Sequence, residues 1–175
     1  VQTMIHTREL ENDELFLVMI TKNGTVKRVT LESINTGRKT GLRAITLDEG
    51  DELLHVLHTY GESEIIIATA VGNAVRFHES GVRPMGRTAR GVRGITLKGD
   101  DRVVGAVVVD DTKTLVTITE NGFGKRSTFD NFRTMKHRGG FGVVCQNVTD
   151  KTGNLAGILA VDDNDDLMMI TDQGT

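Results

Sequence analysis

The sequence predicts an all-β fold: a propeller-like array of four-stranded antiparallel blades, of which the 175 residues hold about three and a half. Three observations predict it. The chain repeats itself with a period of about 50 residues, each period contains short runs rich in β-branched residues, and turns with Gly or Asn separate those runs. Because 38% of the residues are hydrophobic, one domain with a modest core accounts for residues 1–175.

The first repeated motif is a turn between two apolar runs. Residues 21–28 (TKNGTVKR) match residues 70–77 (AVGNAVRF) and residues 120–126 (ENGFGKR), at intervals of about 49 residues, and residues 171–175 (TDQGT) open a fourth copy. Internal repeats of this length are typical of arrays in which each unit buries its faces against its neighbours.

Two further motifs keep the same interval. One occurs at residues 41–47 (GLRAITL), 91–97 (GVRGITL) and, more weakly, 142–148 (GVVCQNV); the other is an acidic or glycine-containing turn at 49–54, 98–104 and 151–156. Three motifs with one period indicate true repeats, at approximately 1–47, 48–97, 98–148 and, in part, 149–175. Residues 1–5 match the middle of a repeat, so we expect the chain to be part of a longer array.

One period shows why the units are sheets. Residues 102–109 form an apolar run, residues 114–120 alternate apolar and polar side chains, and residues 123–129 and 142–148 complete a predicted set of four strands. Asn121-Gly122 tolerates positive φ at both centres of a tight turn, which predicts a hairpin between the second and third strands. A helix is excluded because no window keeps apolar residues at i, i+3, i+4 and i+7 and because glycines recur every few residues.

Charge is segregated by position within the repeat, although the net charge is only −3. Basic residues are concentrated in residues 22–43, 76–93 and 125–138, each with a single acid. Most acids gather in other parts of the repeat: Glu9, Glu11, Asp13 and Glu14; Asp48, Glu49, Asp51 and Glu52; Asp110 and Asp111; Asp162, Asp163, Asp165 and Asp166. One edge of each unit is therefore expected to be basic, which is typical of proteins that bind polyanions. The alternative, that solvated turns are simply charged, does not account for recurrence in three matching loops.

Duplex DNA, recognised through its phosphates, is the predicted partner. Strands and turns offer no helix for the major groove, and aromatic residues are only 4% of the chain, so Phe77, Phe123, Phe129, Phe132 and Phe141 are interpreted as core or loop anchors. The residues expected to neutralise phosphates are Arg38, Lys39, Arg43, Arg87, Arg90, Arg93, Lys125, Arg126, Arg133, Lys136 and Arg138. Gly91, Gly139 and Gly140 are expected to let the backbone approach the DNA closely.

No catalytic residue, metal site or cofactor is predicted in this chain. Residues 122–127 (GFGKRS) lack the first glycine and the helix of a phosphate-binding P-loop. His55 and His58 would point to opposite faces of a strand, and residues 162–166 (DDNDD) lack the spacing of a calcium loop. The lone Cys145 cannot form an internal disulfide, and no membrane-spanning run or signal peptide is recognised. We therefore expect a reducing, cytoplasmic location and no membrane partner.

Residues 85–95, 121–126 and 167–175, taken together, resemble the C-terminal domain of bacterial DNA gyrase A, and the resemblance spans essentially the whole chain. It implies a β-pinwheel, a propeller-like disc of about six four-stranded blades that wraps duplex DNA. It also implies a non-catalytic part of an ATP-dependent type IIA topoisomerase that introduces negative supercoils, assembled with the rest of the gyrase A polypeptide and with gyrase B as an A2B2 complex. The catalytic tyrosine and the sites for ATP and Mg²⁺ would lie elsewhere, and the location would be the bacterial cytoplasm, associated with the nucleoid.

The sequence departs from this family in one motif. The family's Gln-Arg-Arg-Gly-Gly-Lys-Gly box is absent in full, and residues 136–142 (KHRGGFG) keep only Arg138, Gly139, Gly140 and Gly142, in a later repeat. Two alternatives stay open: the similar domain of topoisomerase IV, and a propeller fragment that binds protein and has no role with DNA.

Overall fold

A computed structural model describes residues 3–6 and 14–174, and the acids Glu9, Glu11 and Asp13 lie outside these residues. The described chain is all-β, as predicted. Its strands are β1 (Phe16–Thr21), β2 (Thr25–Thr30), β3 (Leu53–Thr59), β4 (Glu64–Thr69), β5 (Asn73–His78), β6 (Val92–Arg93), β7 (Val103–Val108), β8 (Thr114–Thr119), β9 (Gly124–Thr128), β10 (Val143–Val144) and β11 (Leu155–Val161). Three short 3-10 helices follow β2, β5 and β9, at Glu32–Ile34, Glu79–Gly81 and Phe129–Asn131.

The strands form three antiparallel sheets. Sheet 1 has the order β3-β1-β2-β6, sheet 2 has the order β10-β5-β4-β7, and sheet 3 has the order β11-β8-β9. In sheets 1 and 2 a hairpin occupies the centre, and in sheet 3 the hairpin β8-β9 has a described neighbour only beside β8; the strands beside each hairpin come from later in the chain. The strands β3, β7 and β11 lie at corresponding edges of the three sheets and contact one another in series. The strands β6 and β10 therefore lie at the opposite, outer edges of sheets 1 and 2.

The predicted grouping of strands within one repeat is wrong. The four runs at 102–109, 114–120, 123–129 and 142–148 do contain strands, but only β8 and β9 belong to sheet 3. The strands β7 and β10 form the two edges of sheet 2 instead. Local alternation identifies a strand but not its partner, because the partner is selected by packing between distant segments. The consequence is that neighbouring sheets exchange strands and interlock.

The hairpin turns also differ from the predicted type. Gly24, Gly72 and Gly122 have φ of 88°, 86° and 81°, whereas no described residue other than glycine has positive φ, so Asn121 does not. The N–H of each glycine donates to the carbonyl of a threonine three residues earlier, at 3.0–3.1 Å. The same threonine accepts a bond on its hydroxyl from the first residue after the glycine. One left-handed glycine after a tight turn is thus sufficient, as in hairpins that end in a bulge.

Sheet 2 is apolar on both faces because it is packed between the other two. Ile65 and Ile67 of β4 point into a core shared with sheet 1, and Ile66 and Ala68 point into a core shared with sheet 3. All four are fully buried. This position explains why β4 reads as a continuous apolar run rather than an alternating one.

Candidate nucleic-acid interface

Three basic segments contain no acid, and two of them run along the outer edges of sheets 1 and 2. We call them strap 1 (residues 36–47), strap 2 (83–97) and strap 3 (133–148). Strap 2 contains β6, which pairs with β2 of sheet 1, and strap 3 contains β10, which pairs with β5 of sheet 2. Each of these two straps therefore crosses from its own hairpin to the preceding sheet.

The straps contact one another in order. The backbone N–H of Thr46 donates to Ala89 at 3.3 Å, which connects strap 1 to strap 2. Thr96, the equivalent residue of strap 2, donates through its N–H to Gly140 at 2.9 Å and through its hydroxyl to Gly139 at 2.5 Å. The three segments thus form one continuous surface.

Glycines hold the straps against the sheets. Gly91 has φ of 108°, and a Cβ at this position would lie 2.7 Å from the carbonyl oxygen of Val26 on β2. Gly139 has φ of 88° and donates its N–H to the Gly94 carbonyl at 2.8 Å. Gly140 is exposed and does not have positive φ. A Cβ there would meet only one atom, at 4.0 Å. The close approaches of Gly91 and Gly139 are thus to the protein itself, and Gly140 is the glycine of this set that the fold does not require.

Most of the predicted phosphate-binding residues are accessible and unpaired. Seven cations of the straps and one on β9 make no salt bridge or side-chain hydrogen bond within residues 3–6 and 14–174: Arg38, Lys39, Arg43, Arg87, Arg93, Arg133, Lys136 and Lys125. Arg83, also in strap 2, is exposed and equally unpaired within these ranges. Arg87 is half-buried and the others are exposed. Their charges are therefore available to an external anion.

Three other predicted residues are engaged by the protein. Arg90 forms an exposed salt bridge with Asp48. Arg126 forms one with Asp163 and donates to the Thr114 hydroxyl at 2.6 Å. Arg138 donates to the carbonyl of Gly81, just before strap 2, at 2.9 Å and to that of Arg93, within strap 2, at 2.7 Å, so that it connects strap 3 to strap 2. These contacts reduce the charge that Arg90 and Arg126 present.

Three cations of the basic segments lie inside the protein, which corrects the expectation that these segments form an exposed basic edge throughout. Lys27 is fully buried and its Nζ donates to the carbonyl of Ala44 at 2.7 Å and to that of Arg87; burial lowers the pKa of this lysine. Arg28 and Arg76 hold the 3-10 helix of the following repeat by donating to backbone carbonyls. All three lie on β2 or β5, at positions equivalent to the predicted strand 123–129, whereas the strap cations lie outside that part of the repeat.

The phenylalanines divide into two groups. Phe77, Phe129 and Phe132 are buried in the cores, as expected for anchors. Phe123 and Phe141 are 40% and 50% exposed, and each ring faces a lysine: Lys98 Nζ lies 4.3 Å from the centre of the Phe141 ring, and Lys151 Nζ lies 5.4 Å from that of Phe123. Cation–π contacts of this kind are compatible with an exposed position.

Other chemistry finds little support in the described part of the chain. It contains no group of three or more His, Cys, Asp and Glu side chains that could hold a metal ion. Burial raises the pKa of the Cys145 thiol to about 11, so the thiolate needed for nucleophilic attack is scarce at neutral pH. No helix in residues 3–6 and 14–174 has the length and apolar character to cross a bilayer.

Comparisons with known proteins agree with this architecture. The family described as "DNA gyrase C-terminal domain, beta-propeller" matches residues 16–59, 63–110 and 113–162. The DNA gyrase A protein of Aminobacterium colombiense is 42% identical over 170 residues, which cover 97% of this chain and 21% of that protein. The chain thus spans about a fifth of the length of its curated relatives.

Two solved structures have the same arrangement of sheets. The C-terminal domain of DNA topoisomerase IV superposes with a TM-score of 0.82 at 27% identity, over 90% of this chain and 49% of that one. The DNA gyrase A C-terminal domain superposes with a TM-score of 0.76 at 26% identity, over 87% of this chain and 50% of that one. The repeated hairpins, the exchanged edge strands and these matches lead to one conclusion: the chain belongs to the DNA gyrase C-terminal domain family and has its β-propeller fold.

Proposed function

We propose that this chain binds duplex DNA along its three straps and bends it, without reading base sequence, as the DNA-wrapping part of a gyrase that introduces negative supercoils. The observation that carries the proposal is the continuity of the straps, which contact one another in order and contain no acid. A duplex laid across them would meet cations from strap 1, then strap 2, then strap 3.

Recognition of phosphates rather than bases is favoured by the chemistry of the straps. Their unpaired arginines and lysines suit phosphate oxygens. Among the described residues there is no α-helix to enter the major groove. The two exposed phenylalanines already face lysines, which does not favour a series of base-stacking platforms.

Membership of the family supports a proposal for the wider assembly. We propose that the chain acts with the rest of the gyrase A polypeptide and with gyrase B in an A2B2 complex, associated with the nucleoid in the bacterial cytoplasm. In this proposal ATP and Mg²⁺ are used elsewhere in the holoenzyme, and the chain contributes binding rather than catalysis. The topoisomerase IV domain is the second candidate, supported by its TM-score of 0.82.

Titration of a labelled duplex at several salt concentrations tests the proposal. If the straps of one chain neutralise about six to eight phosphates, log Kd should change with log salt with a slope of magnitude about 5 to 8. The double variant Arg87→Ala, Arg93→Ala removes two unpaired strap cations and should lower this magnitude by about 2, for all duplex sequences alike.

The matched control is the double variant Lys113→Ala, Lys151→Ala. It removes the same charge from turns outside the straps, where neither lysine forms a salt bridge with a described residue. Its slope should equal that of the unmodified chain. A flat salt response, or equal losses in the two double variants, would favour a protein-binding scaffold over a DNA-binding one.

A further inference from the structure

Three hydrogen bonds to backbone carbonyls join strap 2 to strap 3 around Thr96. Thr96 donates its N–H to Gly140 at 2.9 Å and its hydroxyl to Gly139 at 2.5 Å. Gly139 in turn donates its N–H to the carbonyl of Gly94 at 2.8 Å. The donor of this third bond has φ of 88°, in the left-handed region that residues branched at Cβ avoid.

The junction between straps 1 and 2 repeats only two of these bonds. Thr46, the equivalent of Thr96, donates its N–H to Ala89 at 3.3 Å and its hydroxyl to the carbonyl of Thr88 at 2.6 Å. Thr88 therefore occupies the position of Gly139, but it is branched at Cβ and does not have positive φ. The N–H of Thr88 makes no backbone hydrogen bond to a described residue, so the third bond is not formed by the backbone here.

Lys27 supplies the third connection from the underlying strand β2. Its Nζ donates to the carbonyl of Ala44, the equivalent of Gly94, at 2.7 Å. The same Nζ donates to the carbonyl of Arg87, which directly precedes Thr88. One buried ammonium group thus joins strap 1 to strap 2 at the point where the backbone N–H of Thr88 does not.

Packing alone does not require a lysine at this position. Lys27 is the third residue after the hairpin glycine of sheet 1, and the third residue after that of sheet 2 is Val75. Lys27 is fully buried and Val75 is 1% exposed, so both sheets are covered here. Burial of an ammonium group is costly and lowers the pKa of Lys27. The two junctions therefore differ as pairs: valine lies beneath Gly139, and lysine lies beneath Thr88.

The two carbonyls that Lys27 holds lie beside unpaired cations of the straps. One carbonyl belongs to Arg87 itself, and the other belongs to Ala44, which directly follows Arg43. Because both carbonyls bond to one Nζ, the backbone segments that carry Arg43 and Arg87 are held next to each other. The bonds leave both guanidinium groups available to an external anion.

We infer that Lys27 is a positioning residue of the DNA-binding surface, an inference that rests on the proposed function. By joining strap 1 to strap 2, it sets the spacing at which Arg43 and Arg87 meet the phosphates of a duplex. Lys27 touches no phosphate itself, because it is fully buried. Its contribution is pre-organisation: segments already fixed in place lose less conformational freedom when DNA binds.

Lys27→Met in the 175-residue chain tests this role, since methionine has a similar length and no donor. Hydrogen exchange of the Thr46 amide should become at least about fivefold faster, because strap 1 loses a connection to strap 2. The Kd for a labelled duplex should rise about three- to tenfold, equivalent to about one phosphate contact. The urea midpoint should stay equal or rise, because an apolar side chain replaces a buried charge. A lower midpoint would show that the fold requires this lysine and would overturn the inference.

The double variant Lys27→Met, Thr88→Gly separates the connection from the charge. It reproduces the apolar residue and the glycine of the junction between straps 2 and 3, so that the N–H at position 88 can reach the Ala44 carbonyl. Slow exchange of the Thr46 amide and the affinity for DNA should both recover, although the charge of Lys27 is still absent. Lys113→Met is the matched control: it removes one charge from a turn outside the straps and should change neither quantity by more than about twofold.

Three further results would overturn the inference. They are unchanged Thr46 exchange in Lys27→Met, unchanged DNA affinity despite faster exchange, and failure of exchange or affinity to recover in the double variant. An unmodified chain that binds no duplex at any salt concentration would contradict the proposed function, and the positioning role with it. The two failures are distinguishable, because exchange of the Thr46 amide is measured without DNA.

Discussion

At the scale of single residues, arginines at equivalent positions of two repeats differ in burial, because a strap covers one of them and no described residue covers the other. Arg28 is almost fully buried with Glu79, their atoms 3.1 Å apart, while the equivalent Arg126 is half exposed beside Asp163. Glu79 also accepts the Thr59 hydroxyl at 2.6 Å. A buried ion pair contributes little net free energy when complete, but it leaves a costly isolated charge when one partner is removed.

Glu79→Ala should therefore lower the free energy of unfolding by about 3 to 5 kcal/mol, because Arg28 would remain buried without its carboxylate. Urea unfolding followed by circular dichroism measures the change. Glu62→Ala serves as the control, since its side chain is 94% exposed and its removal should change stability by no more than about 0.5 kcal/mol. Equal effects of the two substitutions on the free energy of unfolding would contradict the penalty assigned to an unpaired, buried Arg28.

At the scale of elements, the straps determine how the sheets are joined. Straps 2 and 3 each complete the sheet before them, strap 2 contacts both of the others, and all three carry unpaired cations. Their conformation depends on glycine where the backbone passes close to a neighbouring strand. Unpaired cations and glycines that the packing requires thus occupy the same short segments. A substitution of a strap cation must therefore be checked for its effect on stability.

Gly91→Ala should destabilise the fold by about 1 to 3 kcal/mol, through overlap of the methyl group with β2 and through the unfavourable φ of 108°. The control is Gly86→Ala in the same strap, where a Cβ meets nothing within 4 Å and φ is not positive. That substitution should leave stability unchanged or raise it by up to about 1 kcal/mol, because alanine restricts the unfolded chain. Urea midpoints distinguish the two. A neutral Gly91→Ala would contradict the packing role given to this glycine.

The sequence predicted where the strands lie but not which strands pair with one another. The period, the hairpins and the strands near 103–108, 114–119 and 124–128 follow from alternation and from turn residues. The exchange of β6 and β10 between sheets does not follow from them, because pairing between residues about 70 positions apart depends on packing that no local pattern records.

The same limit applies to the candidate interface. The strap cations were recognised as a repeated group, and eight of the eleven predicted cations are unpaired in the described chain. Lys27, which belongs to the basic segment 22–43 but not to the predicted site, is buried because strap 2 covers the face of β2 that its position would otherwise expose to solvent. Burial of one segment by another that is distant in sequence is what composition and spacing alone do not reveal.

At the scale of the whole molecule, the three sheets lie in series with apolar cores between them, and straps 2 and 3 run along the outer edges of sheets 1 and 2. The net charge of −3 hides this division, since the straps contain no acid. In the proposed function a bound duplex bends along the straps, and smooth bending of 20 to 30 base pairs costs about 1 to 6 kcal/mol. Phosphate contacts along all three straps would have to offset that cost.

Relaxation of a plasmid by a nicking-closing enzyme in the presence of the chain tests whether the bound chain wraps DNA. The mean linking number after protein removal should shift progressively as the ratio of chain to plasmid rises. The shift should be smaller for Arg87→Ala, Arg93→Ala than for Lys113→Ala, Lys151→Ala at equal chain concentration, because the former pair lies in strap 2. Topoisomers that stay unchanged under conditions of demonstrated binding would limit the chain to passive attachment.

The exchange of strands between sheets has a consequence for synthesis. On a ribosome, the first hairpin is made long before the segment that covers its edge, since Val92 follows Thr30 by about 60 residues. Sheets 1 and 2 are each complete only after the strap of the next repeat has been synthesised. Until then, the outer strand of the hairpin made last has an unpaired edge. Gene duplication or loss would preserve this pairing only if it added or removed whole repeats. A change of half a repeat would separate a hairpin from the strap that pairs with its edge.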